Sequence, residues 1–139
     1  MRGIFDLTTP DALVKKLHVE FEQFQNNQND TYQAFNFFVT AEHIPDWLDE
    51  KNLRKQEPLL RICSHIANGA KHFEVDRHNA VIGTEKERYA EEGYVEEPLV
   101  IYLSEVETQA MGKESIRALE LAELIVDYWV VRFPNVTTE

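Results

Sequence analysis

Apolar positions recur at helical spacing over most of this chain and alternate with polar ones only in a stretch past its middle. Leu13, Leu17, Phe21 and Phe24 repeat every three to four residues behind Thr9-Pro10-Asp11. There a capping hydroxyl, a proline at the first helical position and an acid near the positive end make a helix start. The pattern predicts a first helix over 10–26. The polar turn Asn26-Asn27-Gln28-Asn29-Asp30 then leads into a second helix over 31–43, with Tyr32, Phe35, Phe37, Phe38, Val39 and Ala41 spread around its circumference. Apolar groups on every side predict a buried, central helix. Pro45 should break or kink it, and the charged stretch 49–57 should be exposed.

Pro58 opens a third helix with two distinct sides. Leu59, Ile62, Cys63, Ile66, Ala67, Ala70 and Phe73 form one side, and Arg61, His65, Asn68 and His72 line the other within an arc of about 60°. Beyond it Phe73 and Val75 alternate with Glu74 and Asp76. The segments 80–83 and 99–103 are short apolar runs with β-branched members, so two or three strands are expected. The glutamate-rich segment 85–97 between them reads as a loop or a short exposed helix. A last helix should run over 107–133 on the stripe Ala118, Leu121, Ala122, Ile125, Trp129 and Phe133. The expected fold is therefore α+β and predominantly helical: a four-helix domain with a small antiparallel hairpin or sheet inserted between the third and fourth helices. Residues 1–139 suffice for a single domain.

Charge narrows the partners. The net charge of −11 repels nucleic acid phosphates and anionic membrane surfaces, so neither is an expected partner. No apolar run reaches the length of a membrane span and the N-terminus carries no signal-like segment, which reads as cytoplasmic. Cys63 is the single cysteine, which excludes an internal disulfide or a cysteine-based zinc site. Its place on the apolar side predicts a buried thiol. Past Leu124 the last helix carries Val126, Tyr128, Val130 and Val131 on further bearings, more apolar surface than one neighbour covers. A homodimer is the expected consequence.

The polar row of the third helix is the chief chemical candidate. A solvated face is the leading reading, because the row lies opposite the apolar arc. A partner-contacting face and a ligand or catalytic site stand beside it, since two imidazoles and an amide replace the usual Lys, Glu and Gln. Gly69 adds to these, costing about 1 kcal/mol relative to Ala within a helix, a cost tolerated where another backbone or a ligand comes close. The candidate binding residues are Arg61, His65, Asn68, Lys71, His72 and Glu42. Glu42 shares a side of its helix with Phe35 and Phe38, so its carboxylate needs a donor, for which Lys71, Arg61 or a histidine of the third helix is at hand. No metal or cofactor is expected. His65 and His72 are about 10 Å apart along a helix axis, too far to share an ion, and the one weak metal candidate is Glu74, Asp76 and His78 on one face of an extended strand.

Asn68-Gly69-Ala70-Lys71-His72 resembles the second half of the HEPN signature, in which an arginine followed by a polar residue precedes histidine by a few positions. The resemblance implies a small, all-helical, often dimeric module whose active members cleave RNA. Were it active, His72 would be the acid/base, with Arg61 and Asn68 supporting the phosphate. This chain has Ala67 where the signature has arginine, while Arg61 lies four positions before His65 and eleven before His72. The resemblance thus implies a degenerate, non-catalytic relative. The string 66–73 also looks like small bacterial or phage proteins of unassigned function. The favoured function is a non-enzymatic cytoplasmic interaction module that self-associates. The alternatives are a HEPN-like ribonuclease of toxin or defence type and a small-ligand or metal-binding protein.

Overall fold

Side-chain caps fix where the first two helices begin. In the computed structural model, which describes residues 2–71, 78–91 and 94–136, α1 spans Pro10–Asn26 and Thr9 accepts the Ala12 amide at 3.1 Å. Helix α2 spans Thr31–Trp47, where the Asp30 carboxylate accepts the Tyr32 amide at 2.8 Å. These bonds satisfy amides that the helix itself leaves open. The two helices pack through Phe21, Phe24, Phe37 and Phe38, with Phe37 and Phe38 meeting edge to face at 5.3 Å. Such ring pairs add about 0.5–1.5 kcal/mol each beyond their buried area.

Helix α2 outlasts its expected end. Pro45 sits inside it and is buried, so the helix runs one turn past position 43. The turn holds because its carbonyls find other donors: Arg54 donates to the Glu42 carbonyl at 2.6 Å, and the Glu50 amide to that of Pro45 at 2.9 Å. Asp49, at φ 56°, then reverses the chain in the left-handed region that Asp tolerates. Nor is α2 buried all round, since Tyr32 and Phe35 are exposed.

A short helix α3 (Leu53–Gln56) leads into α4 (Pro58–Lys71). Strand β1 (Val81–Lys86) pairs antiparallel with β4 (Leu99–Leu103), which pairs antiparallel with β5 (Ser115–Arg117), so among the described residues β1 is an edge of this sheet. The register slips between Val81 and Gly83, which makes Ile82 a bulge. The glutamate-rich segment is neither loop nor helix throughout. Within it β2 (Tyr89–Glu91) and β3 (Tyr94–Glu96) pair antiparallel, as their tyrosines and Val95 favour. The strand expected from Phe73 and Val75 lies outside the described residues.

The long last helix is in fact two. Helix α5 (Glu105–Met111) starts at a Ser104 cap and stops at Gly112, whose φ of 77° suits glycine. β5 intervenes, and α6 (Ala118–Arg132) follows. Trp129 is fully buried, against Tyr128 at 4.9 Å and Phe133 at 6.3 Å. The architecture is α+β and mainly helical, with six helices, one three-stranded antiparallel sheet and one two-stranded one among the described residues. No described helix is long and apolar enough to cross a membrane.

Candidate functional site

The polar side of α4 does not face open water. Arg61 and His65 reach neighbouring elements, while Asn68 bonds within α4. Arg61 donates twice to Glu107 of α5, through Nε to Oε2 and Nη2 to Oε1, each at 2.7 Å, and Nη1 donates to the Lys55 carbonyl of α3 at 3.0 Å. The Val81 amide at the start of β1 donates to His65 Nδ1 at 2.9 Å. Asn68 turns back along its own helix, its amide donating to the Ser64 carbonyl at 2.8 Å. Ser64 donates to Glu42 Oε1 of α2 at 3.0 Å. The solvated-face reading is thereby corrected: α4 is a hub that ties α2, α3, α5 and β1 together by polar bonds. His72, Glu74, Asp76 and the Lys71 side chain lie outside the described residues.

The bond to Val81 settles a chemical question about His65. A ring nitrogen that accepts from an amide N–H carries no proton, so neutral His65 holds its proton on Nε2. Neither nitrogen then offers a free lone pair to a metal. Burial, and after it the positive charge of His78, lowers the His65 pKa below the ordinary value. The His78 ring lies 5.8 Å from that of His65, and its own pKa is lowered by burial and then by Arg54. His78 is the one described member of the metal candidate. Among the described residues no three His, Cys, Asp or Glu side chains are grouped to hold an ion.

Glu42 is largely buried, and the donor expected from α4 is Ser64. Among the described residues its cation is Arg54 of α3, with Nε 2.5 Å from Oε1, while Arg61 pairs with Glu107 instead. Arg54 also clamps Asp46, at 2.8 Å and 3.0 Å. Burial still pushes the Glu42 pKa up, against the pull of Arg54 and the Ser64 hydroxyl. Cys63 is buried as expected, and burial followed by the Glu42 charge holds its thiol well above its usual range. That is a poor nucleophile.

Sequence reasoning missed several of these groups. Glu107 is only 2% exposed, and its signal was the Ser104…Glu107 spacing of a helix start. Glu20 is buried on α1 beside Lys16, an i,i+4 pair visible in the sequence, and accepts from the Thr40 hydroxyl at 2.7 Å. Arg54 gave no signal at all, being one charge in a charged run.

A different feature is shaped for binding. A trough of about 640 Å³ lies between α2, α4 and the sheet. Ala34, Phe35 and Phe38 line it from α2, Ile66, Gly69 and Ala70 from α4, and all six residues of β1 from the sheet. Phe35 and Ile82 at its rim are 45% and 75% exposed. Apolar lining with a few polar groups is what ligand sites share. No family model, curated protein or solved structure matches this chain.

Proposed function

We propose that this chain is a non-enzymatic interaction module whose working surface is the trough between α2, α4 and β1. The trough itself carries the reading, with exposed Phe35 and Ile82 at its rim. Supporting it, three of the candidate site residues are engaged within the chain: Arg61 with Glu107, Glu42 with Arg54 and Ser64, His65 with the Val81 amide. The HEPN-like resemblance fits as that of a non-catalytic relative, with α1, α2, α4 and α6 as its helical frame and the sheet as an addition. A cytoplasmic setting suits the unpaired Cys63 thiol.

An apolar fluorescent dye tests the reading. Anilinonaphthalene sulfonate should brighten on the folded chain, and Gly69→Leu should suppress that signal. Gly69 lines the trough from an exposed helical position, so leucine fills space there while helix propensity rises by about 0.8 kcal/mol. Equal dye binding by the folded variant would mean that the trough is not the site.

Self-association is a second reading. Val130 and Val131, adjacent on α6, are exposed, Val131 by 80%. Trp129 is covered by its own chain, so this face is narrower than the sequence implied.

A further inference from the structure

We propose that the trough holds the apolar body of a small neutral amphiphile whose hydroxyl-rich head, of the kind a glycoside carries, sits against the turn between α1 and α2. The inference rests on the trough being the working surface and names what fills it. A second hollow, of about 770 Å³, is lined by the turn residues Asn26 to Asp30 with Thr31, Tyr32 and Lys86. Thr31 and Lys86 also line the trough, so the two hollows adjoin at the start of α2 and the end of β1. One small molecule can lie across that junction.

The two sides of the junction ask for different chemistry. In the trough the ligand meets Ala34, Phe35, Phe38, Ile66 and Ala70. Each methylene taken out of water there contributes a factor of about four in affinity. In the second hollow it meets the side-chain amides of Asn26, Asn27, Gln28 and Asn29, each both donor and acceptor. Asn27 donates to the Gln23 carbonyl at 3.0 Å, whereas among the described residues the side chains of Gln28 and Asn29 make no hydrogen bond. A sugar hydroxyl also donates and accepts, so it matches an amide in either sense. Tyr32 stands beside these amides, 79% exposed. The negative face of its ring attracts the weakly positive C–H groups of a pyranose.

Charge argues for a neutral head. Among the described residues three ionic side chains line the hollows, and each is met within the chain. The Asp30 carboxylate accepts the Tyr32 and Gln33 amides at 2.8 Å and 3.4 Å, Glu85 lies 2.7 Å from the Tyr102 hydroxyl, and Lys86 pairs with Glu97 at 3.7 Å. His65, which also lines the trough, is neutral while its Nδ1 accepts from the Val81 amide. A carboxylate or ammonium head would give up hydration without an unpaired counter-charge to meet, a far larger cost than that of a hydroxyl. Body and head both have a place on one chain, so the occupant is a free molecule rather than a headgroup still anchored in a bilayer.

Calorimetric titration of the full chain with octyl glucoside, hexyl glucoside, octanoate and octyltrimethylammonium, all below micelle-forming concentration, tests the assignment. Octyl glucoside should bind. Hexyl glucoside should bind about fifteenfold more weakly, as two missing methylenes require, and the two ionic probes about tenfold more weakly or worse. Tyr32→Ala, at an exposed site, should weaken octyl glucoside about fivefold and leave the brightening of anilinonaphthalene sulfonate unchanged. Equal binding of the three octyl probes, or octyl glucoside binding that ignores Tyr32→Ala, overturns the inference. So does association with neutral vesicles that carry the glucoside when the free molecule does not bind. Dye binding in the trough without glucoside binding sinks the amphiphile alone; absence of both sinks the function reading with it.

Discussion

Arg61 and Glu107 lie 46 positions apart and meet through two hydrogen bonds of 2.7 Å, with the carboxylate buried and the guanidinium partly open to solvent. The asymmetry decides what each substitution costs. Arg61→Met leaves a sealed charge with no partner, which costs about 3 kcal/mol. Glu107→Gln leaves an arginine that water can reach, so its loss is about 1 kcal/mol. Urea denaturation of the two variants gives the order. A larger loss for Glu107→Gln would mean that the carboxylate is not the sealed partner.

Glu42 should make stability depend on pH in the opposite sense to an ordinary ion-paired carboxylate. Burial raises its folded pKa above the unfolded value of about 4.3. As pH falls from neutral toward that raised value, the folded state takes up the proton first and gains stability. Glu42→Gln removes this response. Measured between pH 7 and about 4.5, the wild type should gain on the variant as pH falls. Parallel curves would mean that Arg54 fully offsets burial.

Local signals in the sequence located α1, α4 and β4 closely, because caps and periodicity act within a few residues. What escaped was tertiary. Pro45 predicts a break or kink because its missing amide is a local fact, whereas the donors that keep the last turn, Arg54 and the Glu50 amide, arrive from beyond the helix. Gly112 was in plain view, but the helical spacing on either side hid the short strand β5 that needs β4 to exist. The polar row was found as a row, and its partners were not. A helical wheel shows which residues share a side, while Glu107 and Val81 come to that side only when α5 and β1 fold against it.

His65 gives a second pH response. Its Nδ1 accepts from the Val81 amide only while unprotonated, and burial with the charge of His78 lowers its folded pKa. The unfolded chain therefore binds the proton first. This contribution is full above about 6.5 and is lost as pH falls below it. His65→Gln keeps an acceptor that does not titrate, so part of the acid loss should disappear and Val81 amide protection should persist at low pH. An unchanged profile together with unchanged Val81 exchange would remove His65 from this role.

Self-association through α6 predicts a mass near twice 16.2 kDa by light scattering at micromolar concentration. Val131→Asp should return the monomer with little change in folding, because a substitution at an exposed site usually stays within about 0.5 kcal/mol. A monomeric wild type ends the reading.

The ribonuclease alternative makes the sharpest demand. His72 would have to exchange a proton with an RNA 2′-hydroxyl or a leaving oxygen, a contribution of about 10²–10⁴ in rate. The phosphate would need Arg61 and Asn68 beside it. Three of the five N–H groups of Arg61 are already directed to Glu107 and the Lys55 carbonyl, and Asn68 donates to Ser64. Ala67 offers no cation in place of the signature's arginine, and the net charge of −11 opposes a polyanion. The purified chain should therefore leave a fluorescent RNA intact without added metal, and His72→Ala should behave as the wild type. Cleavage that His72→Ala abolishes would replace the interaction module with a nuclease.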